Sequence, residues 1–258
     1  MSNDARFVWY DLLTNDREAA VRFYDAVLGW GTQPFELPGK EPYLMWTRGG
    51  TPIGGSMTMP QAELDAGTKP HWLGYVGVGD VDAMVAKAGS LGGKTIVPAT
   101  DIPTVGRFAV LQDPHGAYFA VYSSLQPSPP AGEAQEGDFS WHELATTDLD
   151  GAWRFYGDLF GWQDAGRADM GEAGTYLMFA PAGAPVPQGM TGGIYVMPHV
   201  LGWLFYVRVG DLDAALERVR KHHGQVAHGP MEVPGGDRIA QCFDPQGGPF
   251  ALHEKKRA

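Results

Sequence analysis

The chain is poor in cysteine: Cys242 is its only one. A single thiol excludes an internal disulfide and every Cys-rich metal motif, as a reducing compartment permits. Positive charge is scarce as well, with 19 Lys and Arg against 30 Asp and Glu for a net charge of −11. Surfaces that hold phosphate backbones or anionic lipids need clustered basic residues, so nucleic acid and membrane partners are not expected. The one basic run, Lys255-Lys256-Arg257, reads as a solvated end. No apolar run is long enough to cross a bilayer. The opening Met-Ser-Asn-Asp-Ala-Arg lacks the apolar centre of a signal peptide, so the expectation is a cytoplasmic protein. What the chain does have is apolar and aromatic content, at 44% and 12%, ample for packed cores.

The sequence is written twice. Trp9-Tyr10-Asp11-Leu12 returns as Trp141-His142-Glu143-Leu144, a shift of 132 residues. The same shift carries Thr14 to Thr146, Asp16 to Asp148, Arg22-Phe23-Tyr24 to Arg154-Phe155-Tyr156 and Gly29-Trp30 to Gly161-Trp162. Further on, Trp72 maps to Trp203, Val78-Gly79-Asp80 to Val209-Gly210-Asp211 and Asp113-Pro114 to Asp244-Pro245. A period this long means two homologous domains rather than a solenoid of short units. Their expected bounds are 6–123 and 138–254. The Pro/Ser/Gly-rich stretch within 124–137 is the linker, since such residues continue neither a helix nor a central strand.

Each repeat opens on strand formers, Phe7–Tyr10 and Phe139–His142. A helix follows, capped by Asp16 or Asn15, with Ala19, Ala20, Phe23, Tyr24, Val27 and Leu28 at helical spacing and Gly29 as its stop. Its twin runs from Asp148 to Gly161. Short strands follow around Tyr43–Trp46 and Ile53–Met57. The pattern then restarts with a strand at 73–78, a helix capped by Asp80 and ending near Gly92-Gly93, and strands near 95–97, 108–111 and 118–122. Each domain is therefore βαβββ taken twice, an α+β fold. Strand-helix-strand crossovers make parallel pairs and the meanders antiparallel ones, so the sheets are mixed. Two such modules meeting are expected to form an open cup wide enough for a small ligand.

With Asp16 before Phe23-Tyr24, Leu28-Gly29-Trp30, the Val-Gly-Asp helix starts and Asp113-Pro114-His115-Gly116, the chain resembles the vicinal oxygen chelate superfamily. That group holds glyoxalase I, the bleomycin-resistance proteins and the extradiol dioxygenases, and the likeness is greatest to two-domain glyoxalase-like proteins of actinobacteria. The resemblance implies tandem cups of mixed β-sheet. It leaves the reaction open, because one fold carries isomerases, lyases, dioxygenases and sequestering proteins.

Metal-using members take four His, Gln or Glu ligands per cup, which leave coordination positions open for substrate oxygens. Counted from the capping Asp and the Asp-Pro turn, those places fall on Trp9, Gly55-Ser56-Met57, Leu73 and Ala120. In the second repeat they fall on Trp141, Gly193-Ile194-Tyr195, Leu204 and Ala251. The expectation is therefore no metal and no cofactor. His142 and His253 stand near the right strands, and a metal there is the alternative. Asp11, two residues from Trp9, shares its strand face, and Glu143 stands likewise to Trp141. An indole beside a carboxylate offers a flat apolar surface and an acid-base group, which makes Asp11 and Glu143 the catalytic candidates. The other reading has the Trp in the core and the carboxylate capping backbone or pairing with Arg107 or Arg238.

Tyr43, Trp46, Trp72 and Trp203 join Trp9 and Trp141 either as a ligand-binding wall or as packing. Gly54-Gly55 and Gly192-Gly193 lack the Lys of a P-loop and suit a bulge or close backbone approach. Cys242 maps to Leu111 and reads as buried rather than nucleophilic. Arg107 and Arg238 are expected to fix the turns that follow them through the turn Asp, the alternative being contact with an anionic ligand. Together these point to a metal-independent small-molecule protein acting on an apolar or aromatic metabolite, with chemistry of the lyase or isomerase type. A drug-sequestering protein and a metal-dependent enzyme with misplaced ligands are the alternatives, and the expected state is a monomer or homodimer.

Overall fold

The computed structural model describes residues 5–36, 42–126, 132–197 and 200–256. The first repeat runs β1 (Phe7–Thr14), α1 (Arg17–Leu28), β2 (Gly31–Phe35), β3 (Tyr43–Arg48), β4 (Thr51–Thr58), α2 (Gln61–Asp65), β5 (His71–Gly77), α3 (Val81–Ser90), β6 (Lys94–Ile102), β7 (Gly106–Gln112) and β8 (Tyr118–Ser124). The second runs β9 (Phe139–Thr146), α4 (Leu149–Phe160), β10 (Gln163–Asp169), β11 (Thr175–Ala180), β12 (Gly192–Val196), β13 (Gly202–Val209), α5 (Leu212–Lys221), β14 (Gln225–Glu232), β15 (Arg238–Phe243) and β16 (Pro249–Glu254). The strands form two eight-stranded mixed sheets, ordered β2-β3-β4-β1-β5-β8-β7-β6 and β10-β11-β12-β9-β13-β16-β15-β14. The α+β architecture of four βαβββ modules thus stands. Among the described residues no helix is long and apolar enough to cross a membrane.

Local chemistry sets the helix ends. Asp16, Asp80, Asp148 and Asp211 each sit in extended backbone and accept the N–H three residues on, satisfying one of the donors a helix start leaves open. Gly29 and Gly161 end α1 and α4 at φ 70° and 72°, left-handed backbone that favours glycine. Strands β2 and β10 fall outside the sequence reading. Gly31–Phe35 is almost wholly exposed, so it lacks the alternation by which a half-buried strand is recognised.

Packing divides the chain differently from the repeat. One compact unit comprises Met1–Val8, Leu73–Gly132 and His142–Trp203; the other comprises Trp9–Trp72, Glu133–Trp141 and Leu204–Ala258. In the second of these, the Trp72 N–H donates to the Tyr24 oxygen at 3.1 Å, and the Tyr24 hydroxyl donates to Asp244 Oδ2 at 3.1 Å. Asp244 Oδ1 accepts the backbone N–H groups of Gln246 and Gly248. The first unit builds the same chain from Trp203 to Tyr156 at 3.2 Å and from Tyr156 to Asp113 Oδ2 at 3.0 Å. There Asp113 Oδ1 accepts from His115 and Ala117. Each tyrosine thus meets the Asp-Pro turn of the other repeat. Tyr24 also packs against Trp30, Trp46, Trp72 and Phe250, and Tyr156 against Phe119, Phe160, Trp162 and Trp203. Such ring pairs contribute about 0.5–1.5 kcal/mol each beyond their area.

Of the linker, residues 127–131 lie outside the described ones, and β8 reaches Ser124. The rest is tied down: the Trp30 indole donates to the Gly137 carbonyl at 2.8 Å, and Glu133 pairs with Arg208 and with Lys255. Lys255 is therefore an ion-pair partner rather than a freely solvated charge.

Burial, and then the neighbouring aspartate, push the Tyr24 and Tyr156 phenols well above their ordinary value of 10.0. The folded chain keeps these protons where the unfolded chain releases them, so stability should fall as pH climbs past about 10. Tyr24→Phe or Tyr156→Phe strands an indole N–H and a buried carboxylate oxygen and should destabilise by about 1–3 kcal/mol. Urea unfolding checks the loss, and the double variant should show a shallower alkaline limb.

Candidate functional site

Strand β1 pairs in parallel with β4, which sets Asp11 opposite Gly55. Antiparallel pairing then lays β3 along β4, with Met45 opposite Gly55. The side chains on one face are Asp11, Tyr43 and Trp9, while Trp46 lies on the other, against Tyr24 of α1. The Trp9 N–H donates to Asp11 Oδ1 at 3.1 Å and to the Tyr43 oxygen at 2.8 Å, and the Tyr43 hydroxyl donates to the same Asp11 oxygen. Asp11 is 3% exposed, whereas Trp9 and Tyr43 are half-buried. A carboxylate thus lies beneath an indole and a phenol that both reach the surface.

Glycine makes the arrangement possible. A Cβ on Gly55 would stand 1.8 Å from the Tyr43 hydroxyl and 2.8 Å from Asp11 Oδ1. Gly54, one residue earlier, lies against the Tyr10 carbonyl on the opposite face, the close backbone approach expected of the Gly-Gly pair. Burial, and next the Asp11 charge, drive the Tyr43 phenol far above its ordinary value, so it remains an O–H donor.

The second repeat builds the equivalent pair. Glu143 stands opposite Gly193 across β9 and β12, and the Tyr176 hydroxyl donates to Glu143 Oε1 at 2.9 Å. A Cβ on Gly193 would meet the Tyr176 ring at 2.2 Å. Tyr195 adds a second phenol, stacked on Tyr176 at 6.0 Å and pushed up to about 12 by burial and then by the Glu143 charge. The sequence reading missed Tyr176. Its signal was present in Tyr43-Leu44-Met45-Trp46 and Tyr176-Leu177-Met178-Phe179, where the same order of residues recurs in the same strand.

Trp46, Trp72 and Trp203 are 0%, 5% and 8% exposed; the first two lie against the Tyr24 ring and the third against that of Tyr156. Trp141 is half-buried, like Trp9. Arg107 pairs with Asp82 and Asp101, and Arg238 with Asp213 and Glu254, so neither fixes the Asp-Pro turn beyond it. Cys242 is buried, and burial lifts its thiol to about 12.

The metal positions implied by the fold carry the wrong chemistry. Trp9, Leu73, Ala120 and Ala251 offer no donor of the required kind, and among the described residues no group of three or more His, Cys, Asp or Glu side chains comes together. The four-ligand set therefore does not fit this chain. His142 is instead stacked on Phe7 at 4.3 Å, with Nδ1 2.7 Å from the Thr191 carbonyl. His253 lies between Ser140 and Asp237. A hollow of about 310 Å³ at the C-terminal end of α1, bordered by Arg208 and Arg218, shares no lining residue with the Asp11 cluster.

A model of the Glyoxalase/Bleomycin resistance protein/Dioxygenase superfamily matches residues 6–121 and 139–252. CFP32 of Mycobacterium bovis and Mycobacterium tuberculosis, provisionally named a glyoxylase, is 31% identical over 245 residues, spanning 95% of this chain and 92% of its own. The anthracycline biosynthesis protein DauV of a Streptomyces species is 28% identical over 265 residues, spanning 97% and 93%. The solved 2,3-dioxygenase LapB of a Pseudomonas species superposes with a TM-score of 0.68 at 12% identity, covering 98% of this chain and 92% of its own. An Mn(II)-bound glyoxalase from Novosphingobium aromaticivorans gives 0.67 at 16%, covering 98% and 83%. At these identities the two structures establish the fold alone.

Two expectations follow from the geometry. Gly55→Ala should expel the Tyr43 phenol from Asp11, lowering stability by about 1–3 kcal/mol. Ultraviolet titration should then find one more tyrosine ionising near its ordinary value. Burial holds the His142 imidazole down at about 4 against an ordinary 6.5, so its neutral form belongs to the fold. Its contribution is complete above pH 6.5 and is lost as pH falls from 6.5 towards 4, by on the order of 3 kcal/mol. Unfolding of His142→Gln across that range should show a flatter acid limb.

Proposed function

The chain belongs to the Glyoxalase/Bleomycin resistance protein/Dioxygenase superfamily, and from that footing we propose that it binds an apolar or aromatic small molecule and transforms it without a divalent metal. The observation that carries this reading is the carboxylate–phenol pair built at the same register in both repeats, over Gly55 and Gly193. Trp9 with Tyr43 in one unit, and Tyr176 with Tyr195 in the other, supply ring faces for a flat ligand.

Asp11 and Glu143 act as the acid-base groups, in chemistry of the lyase or isomerase kind. Donors aimed at a carboxylate stabilise its charged form and weaken it as a base. A substrate oxygen that takes over the Tyr43 or Tyr176 O–H removes one such donor, which strengthens the carboxylate as the phenol begins to stabilise the substrate's developing charge. The name of the Streptomyces relative suggests polycyclic aromatic compounds among the ligands. The net charge of −11 favours cationic compounds and supports a second reading, sequestration without reaction.

A thermal-shift screen of methylglyoxal–glutathione adducts, catechols, anthracycline-type aromatics and cationic antibiotics should give at least one stabilising compound. Asp11→Asn or Glu143→Gln should then slow its turnover by on the order of a hundredfold, with binding retained. Binding without turnover in the unaltered protein assigns sequestration. Stoichiometric Fe, Mn, Ni or Zn in the purified protein, required for turnover, overturns the metal-free reading.

A further inference from the structure

In the compact unit that ends the chain, three side chains apart from the Asp11 cluster form a hydrogen-bonded line. Ser140 Oγ of β9 lies 2.9 Å from Nδ1 of His253 on β16, and Nε2 of His253 lies 2.9 Å from Oδ2 of Asp237. We propose that Ser140, His253 and Asp237 form a nucleophilic serine relay, a second reactive site that takes activated esters and organophosphorus electrophiles.

The geometry assigns the roles. A carboxylate on Nε2 fixes the imidazole proton there and leaves Nδ1 to accept the serine proton. Asp237 is held by the Lys256 backbone N–H on its other oxygen at 2.9 Å and by a turn in which Val233 bonds the Asp237 carbonyl. These donors and His253 keep its carboxyl below the ordinary range despite some burial, so it is the charged, orienting member. The other acceptor for Ser140 is the Tyr206 carbonyl, at a longer 3.3 Å. The line is reachable: the His253 side chain is 17% exposed, that of Asp237 is 32%, and Ser140 is half-buried. Arg208, the register partner of His253 on β13, adds a cation to that strand pair, and Lys255 with Glu133 lies beyond it. The first repeat has Val8 and Tyr122 where Ser140 and His253 stand, so the line is peculiar to the second.

The reaction balances without any further oxidant or reductant. Ser140 Oγ bonds to the carbonyl carbon of p-nitrophenyl acetate while its proton moves to His253 Nδ1; the bond to the p-nitrophenolate oxygen breaks, and that oxygen takes the proton from Nδ1. Water then loses a proton to the freed nitrogen as its oxygen bonds to the acetyl carbon, and the bond to Ser140 Oγ breaks with return of that proton to Oγ. Ester and water yield acetic acid and p-nitrophenol, and Ser140 is regenerated. Ser140 and His253 are the catalytic residues; Asp237 is a positioning residue.

The test incubates the full chain with a fluorophosphonate and locates the adduct by mass spectrometry, alongside a p-nitrophenyl acetate assay. The expected result is an adduct on Ser140, lost in Ser140→Ala. Its rate should fall by on the order of a hundredfold in His253→Gln. Asp237→Asn should lower the labelling rate, with a melting temperature close to that of the unaltered protein, and Asp237→Glu should restore part of it. Absence of a Ser140 adduct in the unaltered protein overturns the proposal. So does an adduct whose rate His253→Gln leaves unchanged, since that marks an unactivated hydroxyl.

Discussion

The structure depends on a buried carboxylate that a tyrosine must satisfy. Asp244 and Asp113 lie at turns whose backbone N–H groups occupy one carboxylate oxygen, and the other oxygen takes a phenol from the opposite repeat. An unsatisfied charge at 1–2% exposure would be severely destabilising. Each Asp-Pro turn therefore selects the first helix of the other repeat as its neighbour. An indole N–H completes each line, and the stacked rings around the two tyrosines fill the space beside it. Polar satisfaction and aromatic packing specify the same pairing, which is the agreement between levels expected of a single native state.

The same economy of design shapes the candidate site. A carboxylate under an aromatic lid is costly to desolvate, and each repeat offsets that cost with donors from the lid itself. The glycine opposite each carboxylate gives the phenol its place. Strands paired in the order of this superfamily's fold carry these two clusters, in keeping with a fold that serves as a scaffold for unrelated reactions.

Much of this was legible in one sequence. The repeat, the four Asp caps and the Gly stops of α1 and α4 act within a few residues, so local patterns reveal them. The pairing of Trp9 with Asp11 followed from strand alternation. Strand β2 escaped notice because an exposed edge strand has no buried face to mark it. The Tyr24–Asp244 bond spans 220 residues, and neither periodicity nor propensity carries information over such a distance. The same limit hid Tyr176, visible only once the two repeats are aligned strand by strand, and the line from Ser140 through His253 to Asp237.

The interleaving of the two compact units has a consequence for biosynthesis. All segments of one unit have been synthesised once Trp203 is made, whereas the other joins Trp9–Trp72 to Leu204–Ala258. Its opening quarter must wait, aromatic faces uncovered, until the closing quarter is translated. Closing so long a loop is slow, and apolar surface left open in the meantime invites aggregation.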